Sequence, residues 1–188
     1  MSKTLWKPGT MVNPLPAVLV TCGATPSEWN MLTVAWTGTI CTDPAMCYIS
    51  VRPERHSHAL IEKEMEFTIN LTTESMARAT DWCGVRSGRD HDKFAATGLT
   101  PIPGELVKSP TIEESPLSIE CAVTNIMRLG SHDMFMARVL GVRADDRYID
   151  PATGRFDLEA GRLIAYSHGH YYALGAHLGH FGFSVRKK

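Results

Sequence analysis

Short apolar runs rich in β-branched residues dominate the hydrophobic pattern of this chain, and polar turns rather than long helices separate them. In the first half the runs Pro16–Cys22, Met31–Cys41, Ala45–Val51 and Glu66–Leu71 have this character, and Asp43-Pro44 is a turn signal between the second and the third. Because β-branched residues fit a pleated and half-buried surface, each run is predicted to form a strand.

The second half of the chain repeats the pattern with longer runs. Ser118–Leu129 and Met134–Ala144 are predicted as two long strands joined by a hairpin-like turn at Gly130–Asp133. Leu163–His168 is the last predicted strand. Pro101–Pro116 holds four of the eleven prolines, so it is predicted to be an irregular connection.

Helical spacing is confined to short segments. Ser57–Met65 opens with a serine that could cap a helix, Thr73–Trp82 is a second short helix, and Lys93–Thr97 is a helical turn ended by Gly98. The strands follow one another directly, without a long helix between each pair. This order predicts a mainly β fold, an antiparallel barrel with a few short peripheral helices, rather than a parallel βαβ sheet.

Length and composition predict one domain over residues 1–188, since domains typically run about 100–200 residues. The net charge is −1 with no long run of one sign, which argues against non-specific binding to nucleic acid or an anionic membrane. No stretch approaches the roughly 18 continuous apolar residues of a membrane helix. The N-terminus MSKTLWKPGT lacks the apolar core of a signal peptide, so the cytoplasm is the expected location.

The five cysteines are predicted to be reduced structural thiols. Their number is odd, their spacing is wide, and no CxxC motif occurs. Cytosolic thiols are kept reduced, and free cysteines are often buried as small hydrophobic residues. A redox or metal role for one of them is the weaker alternative. The cysteines are Cys22, Cys41, Cys47, Cys83 and Cys121.

The loop after the third predicted strand is the first candidate site. It leads into a predicted helix, and helix N-termini bind phosphate through free N–H groups and the positive end of the dipole. Arg52, Arg55 and His56 can add positive charge, and the Ser57 hydroxyl can donate a hydrogen bond. The alternative is a solvated loop in which Ser57 only caps the helix.

The second predicted strand contains unusually small and polar residues around one tryptophan. Thr37, Gly38 and Thr39 offer two hydroxyls and a backbone that a ligand can approach closely, and Trp36 offers a large apolar face. The alternative is an edge strand with a tryptophan in the core.

A second basic loop, Ser87–Phe94, opens the helical turn that follows it. It could bring further cations to the same anion. The alternative is an exposed loop anchored by Phe94.

The segment Tyr166–Tyr172 is dense in aromatic and imidazole groups. His168 and His170 would share one face of an extended backbone and could there bind a metal, but no carboxylate or thiol lies nearby at ligand spacing. We therefore assign no metal and expect these residues to line a pocket or a subunit interface, where Tyr and His suit half-buried positions.

Several common motifs are absent from the sequence. There is no GxGxxG after a strand, no Walker loop and no GxSxG, so a dedicated dinucleotide fold and a serine hydrolase are both disfavoured.

Four segments in a common order resemble the flavin reductase-like family, the FMN-binding split β-barrel, and within it the flavoredoxin branch. The resemblance covers about residues 12–185. The segments are NMLTVAWTGTICTDPAMCYISVRPERHSH, FTINLTTE, TDWCGVRSGRDHDKF and LIAYSHGHYYALG.

The resemblance implies a homodimer with one FMN per subunit near the interface. It places Trp36–Thr39 along the isoalloxazine ring, Ser50–Ser57 around the ribityl chain and phosphate, and Lys93 as the main contact from the second basic loop. The implied cofactor-binding residues are Asn30, Trp36, Thr37, Gly38, Thr39, Ser50, Val51, Arg52, Arg55, His56, Ser57, Arg89, Asp92, Lys93, Phe94, Tyr166 and His168.

Three functions follow as alternatives. The first is an oxidoreductase in which NAD(P)H reduces the bound flavin, which then reduces free flavin, a ferric chelate or a similar acceptor. The second is a flavoredoxin-type carrier that takes electrons from a redox protein and does not oxidise NAD(P)H. The third is a binding module for another ligand, such as haem. The flavin would carry the chemistry, so no catalytic residue is assigned, and Arg52→Ala is expected to weaken FMN retention.

Overall fold

The computed structural model of the chain describes residues 1–185, and residues 186–188 at the end of the predicted domain lie outside the described part. Most of its regular structure is β. The strands are β1 (Leu15–Pro16), β2 (Val18–Cys22), β3 (Asn30–Val34), β4 (Thr37–Thr42), β5 (Ala45–Val51), β6 (Glu66–Leu71), β7 (Pro101–Ile102), β8 (Thr111–Ile112), β9 (Leu117–Arg128), β10 (Asp133–Ala144), β11 (Ile164–Ser167) and β12 (His170–Ala173), and the helices are α1 (His56–Glu64), α2 (Ala77–Val85) and α3 (Lys93–Thr97).

Seven strands form one antiparallel sheet in the order β3-β2-β6-β9-β10-β5-β4. β3 and β4 are at opposite ends of this order, yet only Ala35 and Trp36 separate them along the chain. Three peptide steps span at most about 11 Å, so the sheet curls until its two edges come close. This curled sheet with three short helices confirms the predicted mainly β, antiparallel split-barrel class.

The prediction of one strand over Met31–Cys41 is wrong, because the chain leaves the sheet at Ala35 and Trp36 and re-enters it at the other edge. The N–H of Ser50 donates to the Trp36 carbonyl at 2.9 Å, which fixes this corner against β5. Trp36 is therefore at the junction of the two edges rather than inside a strand.

The core has two layers because β2 is buried on both faces. Val18 and Val20 face the interior of the curled sheet, where Phe67 and Phe135 are fully buried. Leu19, from the opposite face of β2, packs in a second cluster with residues of α2 and α3. The two helices thus cover the outer face of β2 and β3, and their connecting loop lies beside the start of α1.

Four of the five cysteines are buried, and Cys41 is partly exposed. Burial raises the pKa of the Cys22 thiol to about 12 and that of the Cys83 thiol to about 11. Both thiols therefore remain protonated near neutral pH, as expected of small residues that fill a core.

The prediction that Ser57 caps α1 is wrong. Arg55 occupies the N-cap position in an extended conformation, its side chain makes no capping hydrogen bond, and Ser57 lies buried in the first turn. The helix ends at Glu64, where Met65 adopts a left-handed conformation (φ 56°) and its N–H donates to the Ile61 carbonyl.

The chain does not stay extended through Tyr166–Tyr172. β11 and β12 form an antiparallel hairpin, and His168 (φ 48°) and Gly169 (φ 84°) supply the two positive φ angles of a two-residue turn. The expectation that His168 and His170 share one strand face is therefore wrong, since His168 is in the turn and His170 begins β12. β1 pairs with β11 and completes a three-stranded sheet.

Candidate functional site

Three cavities adjoin one another where β3, the β5–α1 loop and the α2–α3 loop meet. We name them the aromatic cavity (about 400 Å³; Trp36, His132, Tyr166, Tyr171), the cationic cavity (about 200 Å³; Arg55, His56, Arg89, Lys93) and the outer cavity (about 800 Å³; Trp29, Leu60, His91, Phe94). Four residues line both the aromatic and the cationic cavity, namely Leu32, Thr33, Arg55 and Gly84. Four others line both the cationic and the outer cavity, namely Asn30, His56, Gly88 and Arg89.

Aromatic rings from distant parts of the chain form two walls of the aromatic cavity. Trp36 packs against His132, from the β9–β10 turn, with ring centroids 4.4 Å apart. Tyr166 and Tyr171 meet edge to face at 5.4 Å across the β11–β12 hairpin. Burial lowers the pKa of His132, as does the charge of Arg52, so the neutral imidazole is favoured beside the tryptophan.

Polar groups are spaced around the same cavity. Thr33, Ser50, Arg52 and Asp81 all line it. Burial raises the pKa of Tyr171 to about 12, and its hydrogen bond to Asp81 contributes to the same shift. Apolar ring faces with hydrogen-bonding groups at the edges suit a flat heteroaromatic ligand.

The cationic cavity is built on the start of α1. The helix has no side-chain cap, so its first N–H groups remain for an outside acceptor. The Arg55 guanidinium donates to the Gly84 carbonyl at 3.2 Å and lies between the aromatic and cationic cavities. A phosphate bound here would meet both the helix dipole and a guanidinium.

The second basic loop closes the other side of the cationic cavity. Arg89 donates to the Glu54 carbonyl at 3.2 Å, which joins the two basic loops. Lys93 is only 4% exposed, and its ammonium donates to the Cys83 carbonyl at 2.7 Å. This bond places the positive charge of Lys93 near the end of α2, beneath the cavity.

The neighbouring basic groups of this cavity disfavour one another's charged forms. Burial lowers the pKa of Lys93, and the charge of Arg55 lowers it further. Burial also lowers the pKa of His56, with contributions from Arg89 and Lys93. A bound anion would offset this repulsion, so the set of charges fits a phosphate better than a neutral ligand.

Asn30 braces the cavity from β3. Its side chain is buried, and its Nδ2 donates to the Ser57 hydroxyl at 2.7 Å. A Cβ atom at Gly88 would overlap the Asn30 amide, with Nδ2 only 2.9 Å away. The second basic loop can therefore pass this close to β3 only because residue 88 has no side chain.

Most of the residues predicted for the site line these cavities. The predicted residues that line the aromatic cavity are Trp36, Ser50, Val51, Arg52, Arg55 and Tyr166. Those that line the cationic cavity are Asn30, Arg55, His56, Ser57, Arg89 and Lys93. The outer cavity is lined by Asp92 and Phe94, in addition to Asn30, His56 and Arg89, which also line the cationic cavity.

Four predicted residues line none of the three cavities. The Thr37 hydroxyl donates to the Tyr48 carbonyl at 2.7 Å, and Gly38 lies beside the Tyr48 ring. Thr39 is exposed on β4. His168 is in the turn beside Gly169, which does line the aromatic cavity, and its ring nitrogen is 3.4 Å from the Asn13 amide.

The sequence analysis missed Asp81, Gly84 and His132. Asp81 was predicted only as part of the helix Thr73–Trp82, Gly84 was assigned to a polar loop although α2 extends to Val85, and His132 was assigned to a turn. None of them has a local sequence signal, because the packing of α2 over β3 brings the first two to the cavity and the β9–β10 turn brings the third.

Residues 1–185 hold neither a membrane-spanning helix nor a metal-binding cluster. No described helix is both long and apolar enough to cross a membrane. Within the same range, no group of three or more His, Cys, Asp and Glu side chains is arranged to hold a metal ion.

Comparison with known proteins identifies the family. A family model described as "Flavin reductase like domain" matches residues 11–175. An uncharacterized protein of Pyrococcus abyssi is 32% identical over 130 residues, which are 69% of this chain and 74% of the relative. The structure of flavoredoxin from Desulfovibrio vulgaris (Miyazaki F) superposes with a TM-score of 0.89 at 30% identity and covers 98% of this chain and 99% of that one.

Flavoredoxin from Methanosarcina acetivorans has the same fold, with a TM-score of 0.89 at 21% identity over 99% of this chain and 100% of that one. The resemblance seen in the sequence is thus confirmed by the family match and by two flavoredoxin structures. The chain belongs to the flavin reductase-like family of flavin-binding oxidoreductases.

Proposed function

We propose that the chain binds FMN, with the isoalloxazine ring in the aromatic cavity and the phosphate in the cationic cavity. One observation carries this proposal. A cavity with aromatic walls adjoins a smaller one that holds an uncapped helix start and five basic side chains, namely Arg55, His56, Arg86, Arg89 and Lys93. A flat ring joined by a short polyol chain to a phosphate matches that order of environments.

Each residue has a defined task in this arrangement. Trp36 and His132 provide a face for the ring, and Thr33 and Ser50 provide hydrogen bonds at its edges. Arg55 is at the passage between the two cavities, where it reaches the ribityl phosphate. Lys93, which is already bonded to the Cys83 carbonyl, adds charge from below.

Bound FMN supplies the capacity to accept and donate electrons, and the chain supplies position and electrostatics. Arg55 and the start of α1 fix the phosphate, which holds the ring in the aromatic cavity. Tyr166 and Tyr171 cover that cavity with the β11–β12 hairpin and limit the access of water. Cations near the phosphate mainly set the affinity for FMN.

We propose NAD(P)H as the electron donor and free flavin or a ferric chelate as the acceptor. A second candidate is an electron carrier that is reduced by a protein partner. The 30% identity to Desulfovibrio vulgaris flavoredoxin over nearly the full length of both chains favours that candidate.

Anaerobic stopped-flow reduction of the FMN-loaded protein separates the two functions. Rapid loss of the visible flavin absorbance with NADH or NADPH supports the oxidoreductase. Reduction only by a reduced ferredoxin supports the carrier. A protein that does not take up added FMN contradicts both.

We also propose a homodimer and a cytoplasmic location. Apolar side chains near both termini are uncovered in the single chain, among them Trp6, Leu178 and Phe181, and a second copy would cover them. Five free cysteines suit a reducing compartment. Light scattering of the FMN-loaded protein should give twice the 20.8 kDa mass of the chain, and the single-chain mass contradicts the dimer.

Gly88→Ala is expected to weaken FMN binding about 2- to 12-fold, the equivalent of one hydrogen bond of about 0.5–1.5 kcal/mol. The added methyl group displaces the Asn30 amide from Ser57 and moves the second basic loop. The measurement is a fluorescence titration of the apoprotein with FMN.

The matched control is Gly175→Ala, because a Cβ there meets no atom within 4 Å. In an Asn30→Ala background, Gly88→Ala should weaken FMN binding by a smaller factor, since the amide that overlaps the new methyl group is gone. An equal loss in both backgrounds contradicts the steric explanation.

A further inference from the structure

A buried imidazole–carboxylate pair lies beside the site without facing it. His58, in the first turn of α1, places its Nε2 2.8 Å from Oδ2 of Asp133, the first residue of β10. Only 6% of the His58 side chain and 4% of the Asp133 side chain are exposed. Neither residue lines any of the three cavities. The pair can therefore influence a bound ligand only through the elements that it joins.

Neighbouring side chains fix the geometry of the pair. The His58 ring stands edge to face with the buried Phe135 at 5.1 Å. The Arg128 guanidinium, at the end of β9, donates both to the Asp133 carboxylate and to Glu62 on α1. Burial alone would raise the pKa of Asp133, but the hydrogen bonds from Arg128 and His58 bring it below its usual value. A charged, buried carboxylate with two donors thus holds α1 against the β9–β10 turn.

Asp133 ties together both ends of the loop that forms the cationic cavity. In the sheet it pairs with Val51, the last residue of β5, while its side chain reaches His58 in α1. The segment between these two contacts contains Arg55 and His56, which line the cationic cavity. A movement of the start of α1 is therefore passed directly to Asp133.

The residue before Asp133 belongs to the other cavity. His132 lines the aromatic cavity, where its ring packs on Trp36 with centroids 4.4 Å apart. Asp133 is thus bonded to the phosphate loop through its side chain and to the ring wall through the main chain. We propose that the His58–Asp133 pair couples the two cavities, so that an anion in the cationic cavity raises the affinity of the aromatic cavity for a flavin ring; this inference rests on the proposed flavin function.

Charge supplies the reason for this coupling. Like charges in the cationic cavity, among them Arg55 and Lys93, repel one another and favour a looser loop when no anion is bound. An anion offsets the repulsion and draws the start of α1 toward the second basic loop. His58 moves with α1, and its bond to Asp133 orders the β9–β10 turn before the ring arrives. A preordered wall binds the ring more tightly because less order has to be gained on binding.

The second route between the two cavities leads elsewhere. Arg55 lines both of them, but its guanidinium is bonded to the Gly84 carbonyl on α2. That contact does not reach the wall formed by Trp36 and His132, which are in the β3–β4 corner and the β9–β10 turn. The His58–Asp133 bond is therefore the contact whose removal should separate the two cavities.

The test measures the affinity of the apoprotein for riboflavin with inorganic phosphate and with chloride at the same ionic strength. Riboflavin brings the ring and the ribityl chain, and inorganic phosphate fills the cationic cavity, so no activity is measured. His58→Leu removes the bond to Asp133 and keeps an apolar side chain beside Phe135. His58→Gln keeps an N–H donor near the position of Nε2 and is the conservative rescue. Quenching of the flavin fluorescence gives each dissociation constant.

Two arginine variants at exposed positions keep the test valid if His58→Leu does not fold. Arg128→Gln removes the second donor to Asp133, which loosens the pair from the surface. Arg138→Gln is the matched control, because Arg138 is an exposed arginine on β10 outside this network.

We expect phosphate to tighten riboflavin binding about fivefold or more in the wild type, in His58→Gln and in Arg138→Gln. The gain should fall below about twofold in His58→Leu and should also be reduced in Arg128→Gln, while riboflavin binding in chloride changes less than about threefold. The retained binding in chloride shows that the variants are folded.

A purely structural pair gives a different result, since its loss would weaken riboflavin binding equally in phosphate and in chloride. No gain from phosphate in the wild type, or the full gain in His58→Leu, overturns the coupling while the FMN proposal stands. If His58→Leu is unfolded, the full gain in Arg128→Gln overturns it in the same way. Binding of neither FMN nor riboflavin by the wild type overturns both proposals.

Discussion

Arg55→Gln is expected to weaken FMN binding about 10- to 150-fold while riboflavin binding changes less than about threefold. Arg55 lines both the aromatic and the cationic cavity, and its guanidinium is fixed by the Gly84 carbonyl at 3.2 Å. Hydrogen bonds to charged groups contribute about 1.5–3 kcal/mol, which corresponds to that range of affinity. Glutamine keeps much of the length of the side chain and removes the charge.

Riboflavin is the internal control for this prediction because it has the ring and the ribityl chain but lacks the phosphate. Two arginine variants complete the comparison. Arg52→Gln should have a smaller effect, since Arg52 lines only the aromatic cavity and is paired with Glu54 at 3.3 Å. Arg138→Gln, on the exposed side of β10, should have none.

The affinities come from fluorescence titrations of the apoprotein at fixed ionic strength, because salt screens exposed charges. If Arg55→Gln lowers the affinity for riboflavin as much as the affinity for FMN, Arg55 supports the ring rather than the phosphate. An unchanged FMN affinity would remove the phosphate from the cationic cavity altogether.

The sequence was informative where local chemistry decides structure. The alternation of buried and less buried residues along Ala45–Val51 gives β5, and Gly98 with its positive φ of 72° ends α3 where predicted. The basic loops around Arg55 and Arg89 were recognised because charge and a following helix are both visible in one short segment. These parts of the site depend on neighbours in the sequence.

The positions where the strands are interrupted could not be predicted from the local sequence. Val34 to Thr37 has no proline or glycine, yet the chain changes sheet edge there because the curled sheet brings β3 and β4 together. The His168-Gly169 turn was missed because residues other than glycine seldom adopt a positive φ, whereas this turn needs one at both His168 and Gly169. Tertiary pairing decided both cases.

Asp81 and His132 show why part of the site has no sequence signal. Asp81 is a polar residue on a short helix, and His132 is in a hairpin turn, both ordinary surface positions. Their role depends on α2 lying over β3 and on the β9–β10 turn reaching Trp36. Such contacts join residues roughly 50–100 positions apart and follow only from the complete fold.

Glu120→Ala is expected to lower the free energy of unfolding by about 3–5 kcal/mol, because it removes a buried acceptor and leaves a cavity. The Glu120 carboxylate is 1% exposed on β9 and accepts three consecutive main-chain N–H groups, from Glu105 (3.1 Å), Leu106 (2.6 Å) and Val107 (3.1 Å). These bonds hold the irregular connection between β7 and β8 against the sheet. Alanine leaves the three donors without their acceptor and opens a space in the core.

The measurement is urea unfolding of the apoprotein at one fixed protein concentration, so that neither flavin binding nor association shifts the midpoint. Glu120→Gln keeps one carbonyl oxygen as an acceptor and should lose less than half as much. Glu113→Ala removes an exposed carboxylate from the same part of the chain and should stay within about 0.5 kcal/mol of the wild type. A loss below about 1 kcal/mol for Glu120→Ala would show that water replaces the carboxylate, and that the β7–β8 connection is held by its other contacts.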